Sequence, residues 1–97
     1  MNKEQVLDFL KAHQEEFSKK YQISNMALFG SLARGDEKLG SDIDIAIETK
    51  LSDYFKLYDF KEELENQFHS RVDIVRLREN MNPLLKSRIL NEGIYVR

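Results

Sequence analysis

The chain has 97 residues, of which 41% are hydrophobic and 33% charged, with a formal net charge of −2 and a pI near 5.7. That length builds one hydrophobic core without a separate substrate lobe, and the charge balance excludes wholesale disorder and a polyanion-binding stripe, so no nucleic-acid polymer is expected as a direct partner. The lack of cysteine excludes disulfides, thiolate zinc sites and cysteine nucleophiles, while the absence of a membrane-length apolar run or a signal-peptide core makes the cytoplasm the expected location.

From Asn2 to about Lys20, Val6, Leu7, Leu10, Phe17 and Tyr21 recur at three- and four-residue steps. This predicts one amphipathic helix capped by Asn2, with Gln5 in the reciprocal capping position. Its apolar face covers a sheet, and any part left over would serve a partner or a second copy of the chain. A turn through Gln22 to Ser24 leads to a short apolar strand, Asn25 to Phe29, that ends at glycine. Ser31 to Arg34 has room for about one helical turn, Gly35 to Gly40 reads as a polar loop, and Ser41 to Glu48 alternates as a second strand.

Ser52 is the expected N-cap of a helix from Asp53 to about Phe68. Leu57, Phe60, Leu64 and Phe68 line its core face, which Tyr54, Phe55 and Tyr58 extend. Arg71 to Arg76 forms a third strand with Val72 and Ile74 on one side and Asp73 and Val75 on the other. Asn82 caps and Pro83 begins a last helix carrying Leu84, Leu85, Ile89 and Leu90, which stops at Gly93; Ile94 to Val96 adds an edge strand or a packed tail. His13 and His69 are expected to face solvent, Lys19, Lys20, Arg76 and Arg78 to sit on a wet surface, and Tyr54, Tyr58 and Tyr95 to pack in the core or at its edge. The whole, residues 1–97, reads as a single α/β (α+β) domain with a small mixed sheet and helices packed on it.

Chemistry concentrates between Leu28 and Glu48. Gly30 and Ser31 fall where a strand hands over to a helix, a place where free backbone N–H groups receive phosphate. Asp42 and Asp44 are two apart in an alternating strand, so both carboxylates share one face and Ile43, Ile45 and Ile47 take the other. A phosphate cradle beside a pair of hard oxygen ligands suits a magnesium-bound nucleoside triphosphate. Asp73, from a separate strand, is placed to join the pair, and Arg34 can add a forked, charge-assisted contact to a phosphate oxygen.

Gly30-Ser31, ten intervening residues and then Asp42-Ile43-Asp44 resemble the signature of the polymerase-β-like nucleotidyltransferases. The segment GSLARGDEKLGSDIDIAIE, the later RVDIV and the ending ILNEGIYV are most similar to the minimal nucleotidyltransferases of that superfamily. The resemblance implies the polymerase-β-like nucleotidyltransferase fold, Gly30 and Ser31 as triphosphate binders, Arg34 as a triphosphate contact and Ser41 as the serine preceding the acid pair. It also implies Asp42, Asp44 and Asp73 as ligands of two Mg2+ ions, with Asp73 the third acid and candidate base. Members of this group are paired with HEPN-domain RNase toxins and inactivate them by transferring AMP from ATP onto a tyrosine, so the implied partners are ATP and a HEPN toxin.

Two other readings stand beside this one. In the first, the chain is an antitoxin that masks its partner by contact, with little chemistry. In the second, it transfers a nucleotide to a small molecule, which the lack of an acceptor lobe disfavours.

Overall fold

The computed structural model describes residues 2–35 and 42–96. The elements run α1 (Lys3–Ala12), α2 (Gln14–Tyr21), β1 (Ile23–Phe29), α3 (Gly30–Arg34), β2 (Ile43–Thr49), α4 (Tyr54–Phe68), β3 (Val72–Arg76), α5 (Pro83–Glu92) and β4 (Ile94–Tyr95).

The capping box at the start of α1 forms as the sequence predicts. The Gln5 backbone N–H donates to Asn2 Oδ1 at 2.9 Å and the Asn2 N–H donates to Gln5 Oε1 at 3.0 Å. The expected single helix is instead two, broken at His13, whose φ of −106° and ψ of 10° leave the helical region. His13 stacks on Phe9 with ring centroids 4.1 Å apart and has Nδ1 2.9 Å from the Phe9 carbonyl oxygen. It is therefore half-buried, contrary to the sequence expectation, while His69 is exposed as expected. The break redirects α2 so that Phe17 and Tyr21 reach the core, and Phe17 meets Phe60 edge-on at 5.1 Å.

The strands lie in the order β3-β2-β1-β4. β1 pairs antiparallel with β2 and β4, while β2 and β3 are parallel, a pairing that needs α4 as the crossover. Alternation along the strands sends Met26, Leu28, Ile43, Ile45, Ile47 and Val72 into the main core. There they meet Val6 and Leu10 of α1, Phe17 and Tyr21 of α2, and Leu57, Phe60, Leu64 and Phe68 of α4. The other face carries Ala27, Phe29 and Ala46 beneath Ile89 of α5, with Val75, Leu77, Met81, Leu85 and Tyr95 around them.

Three further sequence expectations shift and one open alternative is settled. Asp53, not Ser52, caps α4, its Oδ1 accepting the Phe55 N–H at 2.9 Å. Tyr54, Phe55 and Tyr58 do not extend the core face; they are exposed, Phe55 to 86%. At 3.6 residues per turn, Phe55 falls on the side of α4 opposite the Leu57-Phe60-Leu64-Phe68 stripe, and Tyr54 and Tyr58 fall on its flanks. Arg76 is half-buried rather than wet, and its Nη2 donates to the Thr49 carbonyl at 3.1 Å. Ile94 and Tyr95 resolve the strand-or-tail alternative as an edge strand on β1. Among the described residues no helix is long and apolar enough to cross a membrane.

Candidate functional site

The site grows out of strand register. β1 ends at Phe29, which pairs with Asp44, and Asp44 in turn lies beside Asp73 in the parallel β2–β3 ladder. Three adjacent strands thus bring a glycine turn and two acids to one end of the sheet. Asp42 precedes β2 by one residue and shares the alternation of Asp44 and Ala46, so its carboxylate belongs on the same face. That face is the one carrying α5, opposite the main core.

Gly30 starts α3 with φ of +77°, a conformation that side chains with a Cβ resist. Its second constraint is steric. A Cβ there would run into Asp44 Oδ2 and come within 3.0 Å of Asp44 Cγ. Glycine is therefore what lets the turn close over the aspartate, and the reading of Gly30 as making room for phosphate acquires a protein-side cause. Ser31 follows half-buried, and α3 is only five residues long, so its leading N–H groups lack intrahelical acceptors. Arg34, in the last turn of α3, has Nη1 3.3 Å from Glu92 Oε2 at the end of α5.

The electrostatics bind these residues together. Burial raises the Asp44 carboxyl above its ordinary value, and the charges of Asp73 and then Asp42 raise it further, while Arg34 pulls it back. Like charges pressed against a half-buried carboxylate disfavour ionisation. Three acids and a guanidinium therefore share one field. Asp44 and Asp42 are half-buried, whereas Asp73 is exposed. Ser41 lies outside the described residues.

The donor chemistry fits a divalent cation. Carboxylates are the hard oxygen ligands such ions take, and magnesium characteristically binds one or two of them and completes its shell with water and substrate phosphates. Among the described residues no group of three or more acid, imidazole or thiol side chains is placed to hold a metal ion.

Beside the acids, on the β3 side, opens a cleft of about 290 Å³ lined by Asp42, Lys61, Glu65, Arg71, Val72 and Asp73. Within it Glu65 Oε2 accepts the Val72 N–H at 3.0 Å and lies 3.2 Å from Lys61 Nζ. These two contacts, the backbone one first, hold the Glu65 carboxyl below its ordinary range. Sequence reasoning did not single out Lys61, Glu65 or Glu92. The i,i+4 spacing of Lys61 and Glu65 was a legible signal for their pairing, but nothing in the spacing pointed it toward the acids.

One end of the sheet thus presents a glycine turn on one strand and carboxylates on the next two. The family model described as Polymerase beta, Nucleotidyltransferase matches residues 11–97. The chain belongs to that family, is an enzyme of its nucleotidyltransferase class, and falls among the minimal nucleotidyltransferases.

Among curated relatives, it is 33% identical over 93 residues to an inferred protein adenylyltransferase of Methanocaldococcus jannaschii, covering 95% of each chain. It is 29% identical over 94 residues to the protein adenylyltransferase MntA of Thermococcus cleftensis, covering 96% of this chain and 94% of that one. Of solved structures, an inferred minimal nucleotidyltransferase superposes with a TM-score of 0.78 at 26% identity, over 97% of this chain and 95% of the other. A toxin-antitoxin complex with AMP-PNP gives 0.73 at 23% identity, over 90% of this chain and 72% of the other. The complex of a tri-AMPylated Shewanella oneidensis HEPN toxin with its MNT antitoxin gives 0.67 at 20% identity, over 94% and 71%. The last two likenesses concern the fold.

Proposed function

We propose that this chain, as a single catalytic domain, transfers AMP from ATP to a tyrosine of a HEPN-type RNase toxin partner in the cytoplasm, and acts as its antitoxin. The observation that carries the reading is the strand register that sets Asp44 beside Asp73 and directly against the Gly30 turn. It is supported by relatives named protein adenylyltransferases and by fold neighbours solved with AMP-PNP or with an AMPylated HEPN toxin.

In this mechanism the backbone at Gly30 and Ser31 receives the triphosphate, Arg34 exchanges Glu92 for a phosphate oxygen, and Ser41 adds a contact beside the acid pair. Asp42, Asp44 and Asp73 are the residues that would hold Mg2+, two ions when the site is fully loaded. When bound, such ions supply charge stabilisation to the entering and leaving oxygens of an in-line displacement. The tyrosine oxygen forms a bond to the α-phosphorus, the bond from that phosphorus to the α,β-bridging oxygen breaks, and pyrophosphate leaves. The phenolic proton passes to a carboxylate, and the position of Asp73 beside Asp44 on the neighbouring strand supports it in that role. The decisive experiment is intact-mass analysis of the partner after incubation with this chain, ATP and magnesium. Addition of AMP units to the partner by the wild type, and none by Asp44→Asn, is the expected pair of results; an unmodified partner would sink the proposal.

One observation favours a contribution from masking. Tyr54, Phe55 and Tyr58 give the start of α4 an exposed aromatic surface, of the kind interfaces favour. An Asp42→Ala, Asp44→Ala double variant that still fully protects cells from the toxin would make binding, not transfer, the antitoxin activity.

A further inference from the structure

The order of the strands separates the two sides of the acid cluster. β1, with the Gly30 turn and Arg34 after it, lies on one side of β2, and β3 with Asp73 lies on the other. In-line transfer puts leaving pyrophosphate and entering hydroxyl on opposite sides of the phosphorus. With the triphosphate held at Gly30, Ser31 and Arg34, the acceptor must enter from the β3 side. That side is where the cleft of Asp42, Lys61, Glu65, Arg71, Val72 and Asp73 opens.

The charges on the walls of this cleft are unequally committed. Asp42 and Asp73 belong to the reaction centre. Glu65 is engaged by the Val72 N–H and by Lys61, and Lys61 also lies 5.8 Å from the centre of the Tyr58 ring. Arg71 is exposed, makes no side-chain hydrogen bond or ion pair among the described residues, and reaches Glu65 only through its charge. A guanidinium held beside a transfer site with its fork unspent is suited to a carboxylate or phosphate oxygen.

We infer that this cleft is the acceptor subsite and that Arg71 selects acceptors bearing an anionic group next to the reacting hydroxyl. The inference rests on the transferase reading above. Two sources supply the same chemistry: an acidic side chain flanking the acceptor tyrosine, or the phosphodiester of an AMP already attached to it. The second would make each product a substrate for the next addition.

The test uses three synthetic peptides of equal length: a tyrosine flanked by serines, the same tyrosine flanked by aspartates, and the serine-flanked tyrosine already carrying AMP. Binding to the full chain is measured by fluorescence anisotropy with magnesium and a non-hydrolysable ATP analogue, so this arm requires no transfer. Its outcome is separate from the mass experiment that decides whether AMP is transferred at all. The expected result is that at least one anionic peptide binds roughly tenfold or more tighter than the neutral one, as loss of a charge-assisted contact predicts. Arg71→Ala should erase that preference and Arg71→Lys should keep part of it. A preference confined to the aspartate peptide assigns the acidic flank, and one confined to the AMP-bearing peptide assigns successive addition. Equal binding of all three peptides, or a preference that survives Arg71→Ala, overturns the proposal.

Discussion

The strand end that carries Asp44 and the helix end that carries Glu65 both border the acid cluster, yet they treat a carboxylate in opposite ways. Burial and two neighbouring aspartates push Asp44 above its ordinary value, whereas a backbone N–H and a lysine hold Glu65 below it. Glu65 thus helps the fold when ionised. Asp44 does not, and its cost is understandable only if the negative charge gathered there is used. A group that opposes stability at the centre of a site, next to one that supports it at the rim, is the physical separation expected between function and scaffold.

Variants at the two positions should break the comparison most visibly. Asp44→Asn should reduce AMP transfer to the partner by about a thousandfold or more, as removal of a central electrostatic group does. The same variant should be more stable than the wild type in neutral buffer containing chelator. The sign follows from the raised value: between the ordinary and raised positions the folded state holds more protons than the unfolded one, so stability falls as pH rises through that window. Thermal unfolding with pH should therefore show the advantage of Asp44→Asn shrinking in acid, and an advantage that persists at low pH would contradict the assignment. Gly30→Ala comes next. It should lose about 1–2 kcal/mol from the positive φ alone, with a further loss of transfer from the collision with Asp44. Urea unfolding and transfer rates on the same sample read both.

Smaller effects sharpen the picture. Arg34→Ala should raise the KM for ATP by about tenfold, the scale of one charge-assisted hydrogen bond; an unchanged KM would leave Arg34 as a plain ion-pair partner of Glu92. Glu65→Gln should change stability least, by less than about 1 kcal/mol at neutral pH, because the half-buried Lys61–Glu65 pair stays screened by solvent. Its mark is the acid limb. The wild type loses the Glu65 contribution as pH falls through the lowered folded value, and the glutamine variant should be flatter there.

Much of this arrangement was legible in the sequence because it depends on local rules. The alternation from Asp42 to Ile47 gave both the core face and the acid face, and Asn2, Asn82 and Pro83 marked helix starts that the structure reproduces. The failures have different causes. The break at His13 preserves the apolar spacing on either side, so periodicity alone does not reveal it. Ser52 is the expected N-cap, but it is the next residue, Asp53, whose side chain accepts the Phe55 N–H, a choice that residue type alone does not reveal. Tyr54, Phe55 and Tyr58 were read by residue type when helical angle was the better guide. The cleft joining Lys61, Glu65 and Arg71 to the acids was illegible for a third reason: it depends on where α4 lies against the start of β3, a tertiary fact with no local signature.

The side-by-side placement of Asp44 and Asp73 also bears on how the chain folds. The two strands are parallel and joined through α4, so their pairing is a long-range event with no hairpin turn to set the register. A slip of one residue would move Asp73 to the opposite face of the sheet. Such a molecule would retain most of its secondary structure but lose its third acid. The fraction of catalytic activity recovered after refolding therefore counts correctly registered molecules, which a spectroscopic measure of helix and strand content would not distinguish from slipped ones.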